Sequence, residues 1–281
     1  MSLVTMASIL RNAMQGNYAV PAFDALEKDS VDAIIKAAEA VDRPVILMVP
    51  EAGLPLINME QFFQYMVESA KRARIPVALE LDHGKCYETI VKAIHYGFTG
   101  VMIDGSELSY EDNAALTRRV VEVAHAAGVS VEAEIGHVAG GEGNMEEGSE
   151  VDVSMYTDPD SARHFAMDTQ VDALAIAFGT VHGIYKGTPK LDLGRLSEIR
   201  RQVSIPLVMH GGSGVSDEEF QKAVAAGINK VNFFTEISMS AAIRAAEFCK
   251  ERNYRLHYAE MVFAAQKKIE EITGHYLELL K

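Results

Sequence analysis

The chain has 281 residues, 48% of them hydrophobic, and a formal net charge of -14, with a pI near 5.1. That balance argues against a nucleic-acid backbone or an anionic membrane surface as the main partner, and an anionic substrate needs a local site that overcomes the field of the whole molecule. No apolar run approaches the roughly 20 residues of a membrane span, residues 1–15 lack the basic start and apolar stretch of a secretion signal, and Cys86 and Cys249 make no disulfide framework and no CxxC, so a reducing, cytoplasmic setting is expected.

The length suits one α/β barrel or two smaller domains. In chain order, short apolar runs read as strands at YAVPAF (18–23), PVILMV (44–49), PVALEL (76–81), GVMID (100–104), VSVEAEI (129–135), ALAIAF (173–178), PLVMH (206–210) and KVNFF (230–234). Between them lie stretches of helical period, among them 30–41, 59–74, 110–127, 192–202 and 217–226. Ser216 with Glu219 three residues on has the form of a capping box. Near-continuous apolar strands alternating with helices imply a parallel sheet covered on its faces, and eight repeats imply an α/β fold of the (β/α)8 TIM-barrel type, residues 1–281 forming one domain. Two segments fall outside the repeat. Residues 136–157 are glycine-rich, acidic and without period, which predicts a mobile loop over the site. Residues 236–281 are helical and longer than one barrel helix requires, so part of this tail is expected to pack outside the barrel or against a second subunit.

Polar residues collect where the strands end. Asp82 and His83 close VALELDHG; Asp104 closes GVMID; Glu132 and Glu134 sit in VEAEI; His182 follows ALAIAF in FGTVHG; His210 opens HGGSG; Asn232 and Thr235 lie in KVNFFTE. Barrel enzymes build their sites on that face from several strands. His83, His182 and His210, from three different strands, can converge on one ion in a manner that suits zinc and leaves a position for substrate. Glu134 and Asp104 are at hand as extra ligands or as residues that hold a ligand. The other half of the ligand is read from glycines: HGGSG and NFFTE occupy the loops where barrels hold a phosphate, with Gly211, Gly212 and Gly214 permitting close approach, Ser213 and Thr235 adding hydroxyls and Lys186 adding charge. Glu80 is expected in a salt bridge inside the barrel, and His137 receives no role.

On these motifs, LDHG, VMIDGS, VEAEIG, the GG-E loop, GTVHGxYK, PLVMHGGSG and KVNFFTE in one order, the chain resembles the zinc-dependent class II aldolases, the fructose- and tagatose-bisphosphate aldolases. The resemblance implies that His83, His182 and His210 hold catalytic Zn2+, with Glu134 and Asp104 near an alternative metal position. Asp82 resembles the family's acid/base on the C4 oxygen, and Glu142 its loop glutamate that moves a proton at the dihydroxyacetone phosphate carbon. Gly183, Lys186, Gly211, Ser213, Asn232 and Thr235 resemble the phosphate and enediolate site, near which the family holds Na+ or K+ on backbone carbonyls. Implied with these are a small phosphorylated sugar as substrate, reversible cleavage of a ketose 1,6-bisphosphate to dihydroxyacetone phosphate and an aldehyde such as glyceraldehyde 3-phosphate, and a homodimer or homotetramer.

Three positions depart from the family's pattern. Asp24 stands where an asparagine is usual, Pro50 where a serine or threonine is usual, and the tail's Asp-Pro-Arg is echoed only in NYRLHY, with Arg255 the sole candidate to reach a distal phosphate. A carboxylate beside a phosphate is repulsive, so the same chemistry on a ketose 1-phosphate with an altered distal end is the alternative. Other readings are a Schiff-base aldolase, which needs a lysine inside at a strand's C-terminal end; a metal-dependent hydrolase, which has no use for paired phosphate loops; and a non-catalytic barrel subunit of an aldolase complex, which should have lost ligands.

Overall fold

The computed structural model describes residues 2–140, 147–149, 153–187 and 189–281. Eight parallel strands close into a barrel in the order β1 (Val20–Asp24), β2 (Val45–Pro50), β3 (Val77–Gly84), β4 (Gly100–Ile103), β5 (Ser130–Ile135), β7 (Ala173–Ile176), β9 (Leu207–Met209) and β10 (Ile228–Phe233), the last pairing back to β1. A separate parallel pair joins β6 (Glu147–Ser149) to β8 (Ile184–Tyr185). Each expected strand is present, with β3 running three residues further, to Gly84, than its apolar run suggests.

Helices α2 (Lys28–Val41), α3 (Met59–Arg72), α4 (Tyr87–Tyr96), α5 (Tyr110–Ala126), α6 (Pro159–Thr169), α7 (Leu193–Gln202) and α8 (Asp217–Ala226) cover the outside of the barrel. Their apolar faces and the outward side chains of the strands, such as Leu47, Leu79, Val101, Val131 and Leu174, form one continuous core, the burial of both sheet faces that a parallel barrel requires. Helix starts follow their caps: Ser216 Oγ accepts from Glu219 N in α8, and Asp158, Asp192, Ser109 and Asn58 do the same for α6, α7, α5 and α3.

A helix that the sequence reading does not name, α1 (Met6–Gly16), closes the N-terminal end of the barrel. Its Met6, Ile9, Leu10 and Ala13 pack with the inward Val20, Ala22, Ile46, Met48, Ala78, Ala173, Ala175 and Val208. Ala7 N donates to Ser130 Oγ at 3.0 Å to seat it. The tail forms α9 (Thr235–Glu251) and α10 (Tyr258–Leu279). Helix α10 buries Ile269, Ile272, Tyr276 and Leu277, and the Tyr276 ring stacks on Phe233 at 3.9 Å between centroids. Helix α9 buries only Thr235 and Ile237, leaving Ile243 on α9 and Phe263 on α10 more than half exposed. Among the described residues no helix is long and apolar enough to cross a membrane.

Candidate active site

In a regular strand, successive side chains point to opposite faces, so Asp82 and His83 cannot both serve one site unless the strand is broken. It is broken there. The pairing of β3 with β4 runs Leu81 to Val101 and then Gly84 to Ile103, so β3 carries one residue more than its neighbour over that interval. His83 takes up the excess with a φ of 45°, a left-handed conformation that L-residues adopt only at a cost and that clusters at functional sites. Gly84 makes the bulge feasible, because a Cβ at that position would meet Met102 O at 2.6 Å. This local geometry explains why an apolar strand ends in D-H-G: the bulge turns two adjacent polar residues to one mouth.

The three expected histidines come together. Their ring centroids are 4.6 Å (His83 and His210), 4.8 Å (His83 and His182) and 5.6 Å (His182 and His210) apart, with planes nearly perpendicular. One ligand nitrogen of each lies within 4.8 Å of the other two. Tautomers are set from behind. Asp104 Oδ2 lies 2.9 Å from His83 Nδ1 and Glu132 Oε1 lies 2.9 Å from His210 Nε2, so those nitrogens carry the protons. The opposite nitrogens, His83 Nε2 and His210 Nδ1, then face each other at 2.8 Å, where both can turn to one shared cation. His182 Nε2 is buried without a hydrogen-bond partner among the described residues. Burial and the two neighbouring imidazoles hold its pKa well below the ordinary histidine range, which keeps it neutral as a metal ligand must be. Three converging imidazoles, two of them backed by carboxylates, fit a zinc ion. His83, Asp104 and Glu134 form a second set of converging ligand atoms. Glu134 Oε1 accepts from Val138 N at 3.0 Å, while burial raises the carboxyl's pKa.

Behind the histidines lies a charged line that the sequence reading misses in part. Glu132 bonds His210 and also Lys230 Nζ at 2.7 Å, and Lys230 Nζ reaches Glu80 Oε2 at 2.5 Å. All of these side chains are fully buried. Burial alone would raise the Glu132 carboxyl, but Lys230 and His210 outweigh it and hold it below its usual range. Burial and Glu132 push Glu80 the other way, and the two carboxylates outweigh burial to keep Lys230 protonated. The expected salt bridge of Glu80 is therefore present, with Lys230. An ammonium held between two carboxylates is no nucleophile, which counts against the Schiff-base reading. The signal for Glu132 and Lys230 is the period of two: Glu132 faces inward because Glu134 does, and Lys230 because Asn232 does.

On the other flank, Ser106 Oγ donates to Asp104 Oδ1 at 2.7 Å and lies 3.1 Å from His137 Nδ1, so His137, unassigned from sequence, ends a chain leading to His83. Burial opposes ionisation of Asp104, yet His83 and Ser106 overcome it and keep the carboxyl far below its ordinary range. Ser106→Ala is expected to weaken zinc affinity about 10- to 100-fold, measured by competition with a chromogenic chelator; unchanged affinity would mean that His83 alone fixes Asp104.

Asp82 is wholly buried and its Oδ1 accepts from Asn232 Nδ2 at 3.3 Å. Two spaces meet at His182. One, of about 470 Å³, is lined by His83, His182, Asp104, Glu134, His137 and Lys85 among others. The other is walled by Asp24, Gly183, Gly211, Ser213, Asn232 and Thr235. Gly211 has a φ of 67°, and a Cβ there would stand 2.3 Å from Val181 O, so the loop approaches its neighbour closely. Tyr185 OH ties the same loops together, donating to Gly211 O at 2.7 Å and accepting from Val181 N at 3.1 Å. Ser213 Oγ accepts from Glu236 N at the start of α9, whose N-terminus thus opens on this space with the polarity an anion prefers. Lys186 is exposed and is not among the described residues lining either space. Arg255 is exposed in the turn after α9, a helix of 17 residues that carries the chain about 25 Å along its axis from Thr235. Glu142 lies outside the described residues.

The family profile described as "Fructose-bisphosphate aldolase class-II" matches residues 4–281. The chain belongs to the class-II fructose-bisphosphate aldolase family. It is 42% identical over 249 residues to the "Fructose-bisphosphate aldolase" of Geobacillus stearothermophilus, covering 87% of this chain and 85% of that protein. It is 40% identical over 260 residues to the "Probable fructose-bisphosphate aldolase" of Bacillus subtilis (strain 168), covering 90% of each. The crystal structure of the YdjI aldolase from Escherichia coli K12 superposes with a TM-score of 0.88 at 30% identity, over 99% of this chain and 97% of that one. This aldolase-family chain is thus a lyase-class TIM barrel; class-II members depend on zinc and act on phosphorylated sugars.

Proposed function

We propose that this chain catalyses reversible, zinc-dependent aldol cleavage of a ketose phosphorylated on carbon 1, releasing dihydroxyacetone phosphate and an aldehyde. The observation that carries this reading is the meeting, at His182, of a three-histidine cluster with a glycine-lined space at the N-terminus of α9. His83, His182 and His210 would hold the zinc. When bound, the metal supplies Lewis-acid withdrawal of electrons from a ketone, which breaking the adjacent C–C bond requires. The residues of the chain do the rest. The loops at Gly183, Gly211 and Ser213, with Thr235, grip the phosphate, and Lys186 would add charge only by turning inward from its exposed position. Asp82, steadied by Asn232, takes the proton of the C4 hydroxyl as the C3–C4 bond breaks. Glu142, which the family resemblance marks for this role, would return a proton to the dihydroxyacetone phosphate carbon. Asp104 and Glu134 offer an alternative metal position, and backbone carbonyls near the phosphate a place for Na+ or K+. A cytoplasmic homodimer or homotetramer accords with two unpaired cysteines and the half-exposed apolar residues of α9 and α10.

Chelation should abolish dihydroxyacetone phosphate release from fructose 1-phosphate and fructose 1,6-bisphosphate, and added Zn2+ should restore it. Activity that survives complete metal removal would overturn the reading. A non-catalytic barrel subunit would bind zinc yet release no dihydroxyacetone phosphate; the retention of all three histidines and Asp82 speaks against it.

A further inference from the structure

The space walled by Gly183, Gly211, Ser213 and Thr235 has no lysine or arginine among the described residues that line it, and it does have a carboxyl, that of Asp24. An anion there is held by backbone N–H groups, by hydroxyls and by the N-terminus of α9. Such donors act only at hydrogen-bond distance, and the field of a helix end fades within one turn. The hold on an anion therefore depends on where the first turn of α9 stands.

That turn is fixed from outside the barrel. Helix α10 brings Tyr276, 40 positions beyond Glu236, back to the place where α9 begins. The Tyr276 hydroxyl donates to Glu236 Oε2 at 2.5 Å, and Glu236 N donates to Ser213 Oγ at 3.1 Å. Tyr276 is buried. Its ring stacks on Phe233, itself a wall of the glycine-lined space, and meets Phe220 of α8 edge-on at 5.6 Å between centroids. Burial first, and the bond to Glu236 second, push the hydroxyl above its ordinary range, so it stays a donor. A bond from a buried donor to a carboxylate is among the stronger ones a protein makes. The preceding residue gives the contrast. His275 Nε2 lies 3.0 Å from Asp217 Oδ1 at the start of α8, but both side chains are at least half exposed, and a pair so open to solvent holds little.

We infer that Tyr276 is a positioning residue for the phosphate: by holding Glu236, and through it Ser213, it sets the first turn of α9 where its N–H groups can grip an anion. This deepens the aldolase reading, on which the identity of that anion as the substrate's phosphate rests. Tyr276 and Glu236 are not among the described residues that line either space at the site, so the tyrosine acts through its neighbours. With Oε2 engaged by Tyr276, the Glu236 carboxylate is tied down beside the helix end; released, its charge would compete with a bound anion for the same N–H groups. The C-terminal helix, which falls outside the strand and helix repeat, thereby takes part in substrate binding.

The test uses Tyr276→Phe, which keeps the stacked ring and removes only the hydroxyl. Calorimetric titration of the zinc-loaded protein measures three probes: inorganic phosphate, dihydroxyacetone phosphate, and acetohydroxamate, a zinc chelator without a phosphate. The variant is expected to bind the two phosphates about three- to tenfold more weakly and acetohydroxamate within about twofold of the unaltered protein. KM for fructose 1-phosphate should rise by the same factor with kcat nearly unchanged, the mark of lost binding common to ground and transition states. In a Glu236→Ala background Tyr276→Phe should change nothing further, since the hydroxyl then has no carboxylate to hold. His275→Ala, one position away on the same helix, should leave all three affinities within about twofold. Unmoved phosphate affinity in Tyr276→Phe, equal weakening of all three probes, a loss that persists in the Glu236→Ala background, or an equal loss in His275→Ala would each overturn the inference and leave the aldolase reading intact. An unaltered protein that binds phosphate in this Tyr276-dependent way, yet releases no dihydroxyacetone phosphate from fructose 1-phosphate or fructose 1,6-bisphosphate, would defeat the aldolase reading and confine Tyr276 to positioning an anion.

Discussion

Asp82→Asn is expected to lower kcat for dihydroxyacetone phosphate release by about 100- to 10,000-fold, the usual worth of a positioned general base, while zinc content stays at the unaltered level. The substitution is nearly isosteric, and asparagine Oδ1 can still accept from Asn232 Nδ2, which lies 3.3 Å from Asp82 Oδ1. What it removes is the capacity to take a proton. The neighbour His83 keeps its own support from Asp104 at 2.9 Å, so the metal ligands should stand. Measuring kcat beside metal content separates two accounts. A large fall in kcat with zinc retained supports proton transfer by Asp82; a parallel loss of zinc would show that Asp82 merely props the ligand next to it, and undiminished kcat would place the base elsewhere.

Lys230→Met should be the most destabilising single change near the site. It leaves Glu80 and Glu132 facing each other inside the barrel, both fully buried, and removal of one partner from a buried ionic network costs about 3–5 kcal/mol. That corresponds to a fall in Tm on the order of 10 °C, read by thermal unfolding with zinc present. Adding Glu80→Gln should recover part of the loss, since one of the two stranded acids is then neutral. Zinc affinity should fall as well, because Glu132 orients His210. A Tm unmoved by Lys230→Met would mean that the network contributes nothing to stability.

How much of this was legible in the sequence depended on which physical rule wrote it. The barrel was legible because buried parallel strands leave continuous apolar runs, and those runs recur at even intervals. The histidine cluster was legible because His83, His182 and His210 all follow strands, and the fold alone brings strand ends together. The bulge at Asp82 and His83 was not, since a period of two says nothing about a single inserted residue; only the following glycine hinted at it. Helix α1 was overlooked although Met6, Ile9, Leu10 and Ala13 keep helical spacing, because Thr5 makes no side-chain cap to announce it. Glu132 and Lys230 were not legible as partners, since their separation of 98 positions is bridged only by closure of the sheet. His137 and Ser106 likewise meet only in three dimensions. Lys186 and Arg255 stand outside the cavities to which similarity of motif pointed them, because exposure is set by tertiary position.

Helix α1 has a significance beyond stability. Its apolar side chains stopper the end of the barrel opposite the site and so keep solvent from reaching the ion line from below. In so dry an interior, the pull of Lys230 on Glu132, and of Glu132 on His210, is far stronger than it would be in contact with bulk solvent. Loosening that stopper would let water screen the line from underneath and slacken the grip on a ligand histidine that α1 never touches. The N-terminal helix is in this sense a remote insulator of the catalytic mouth.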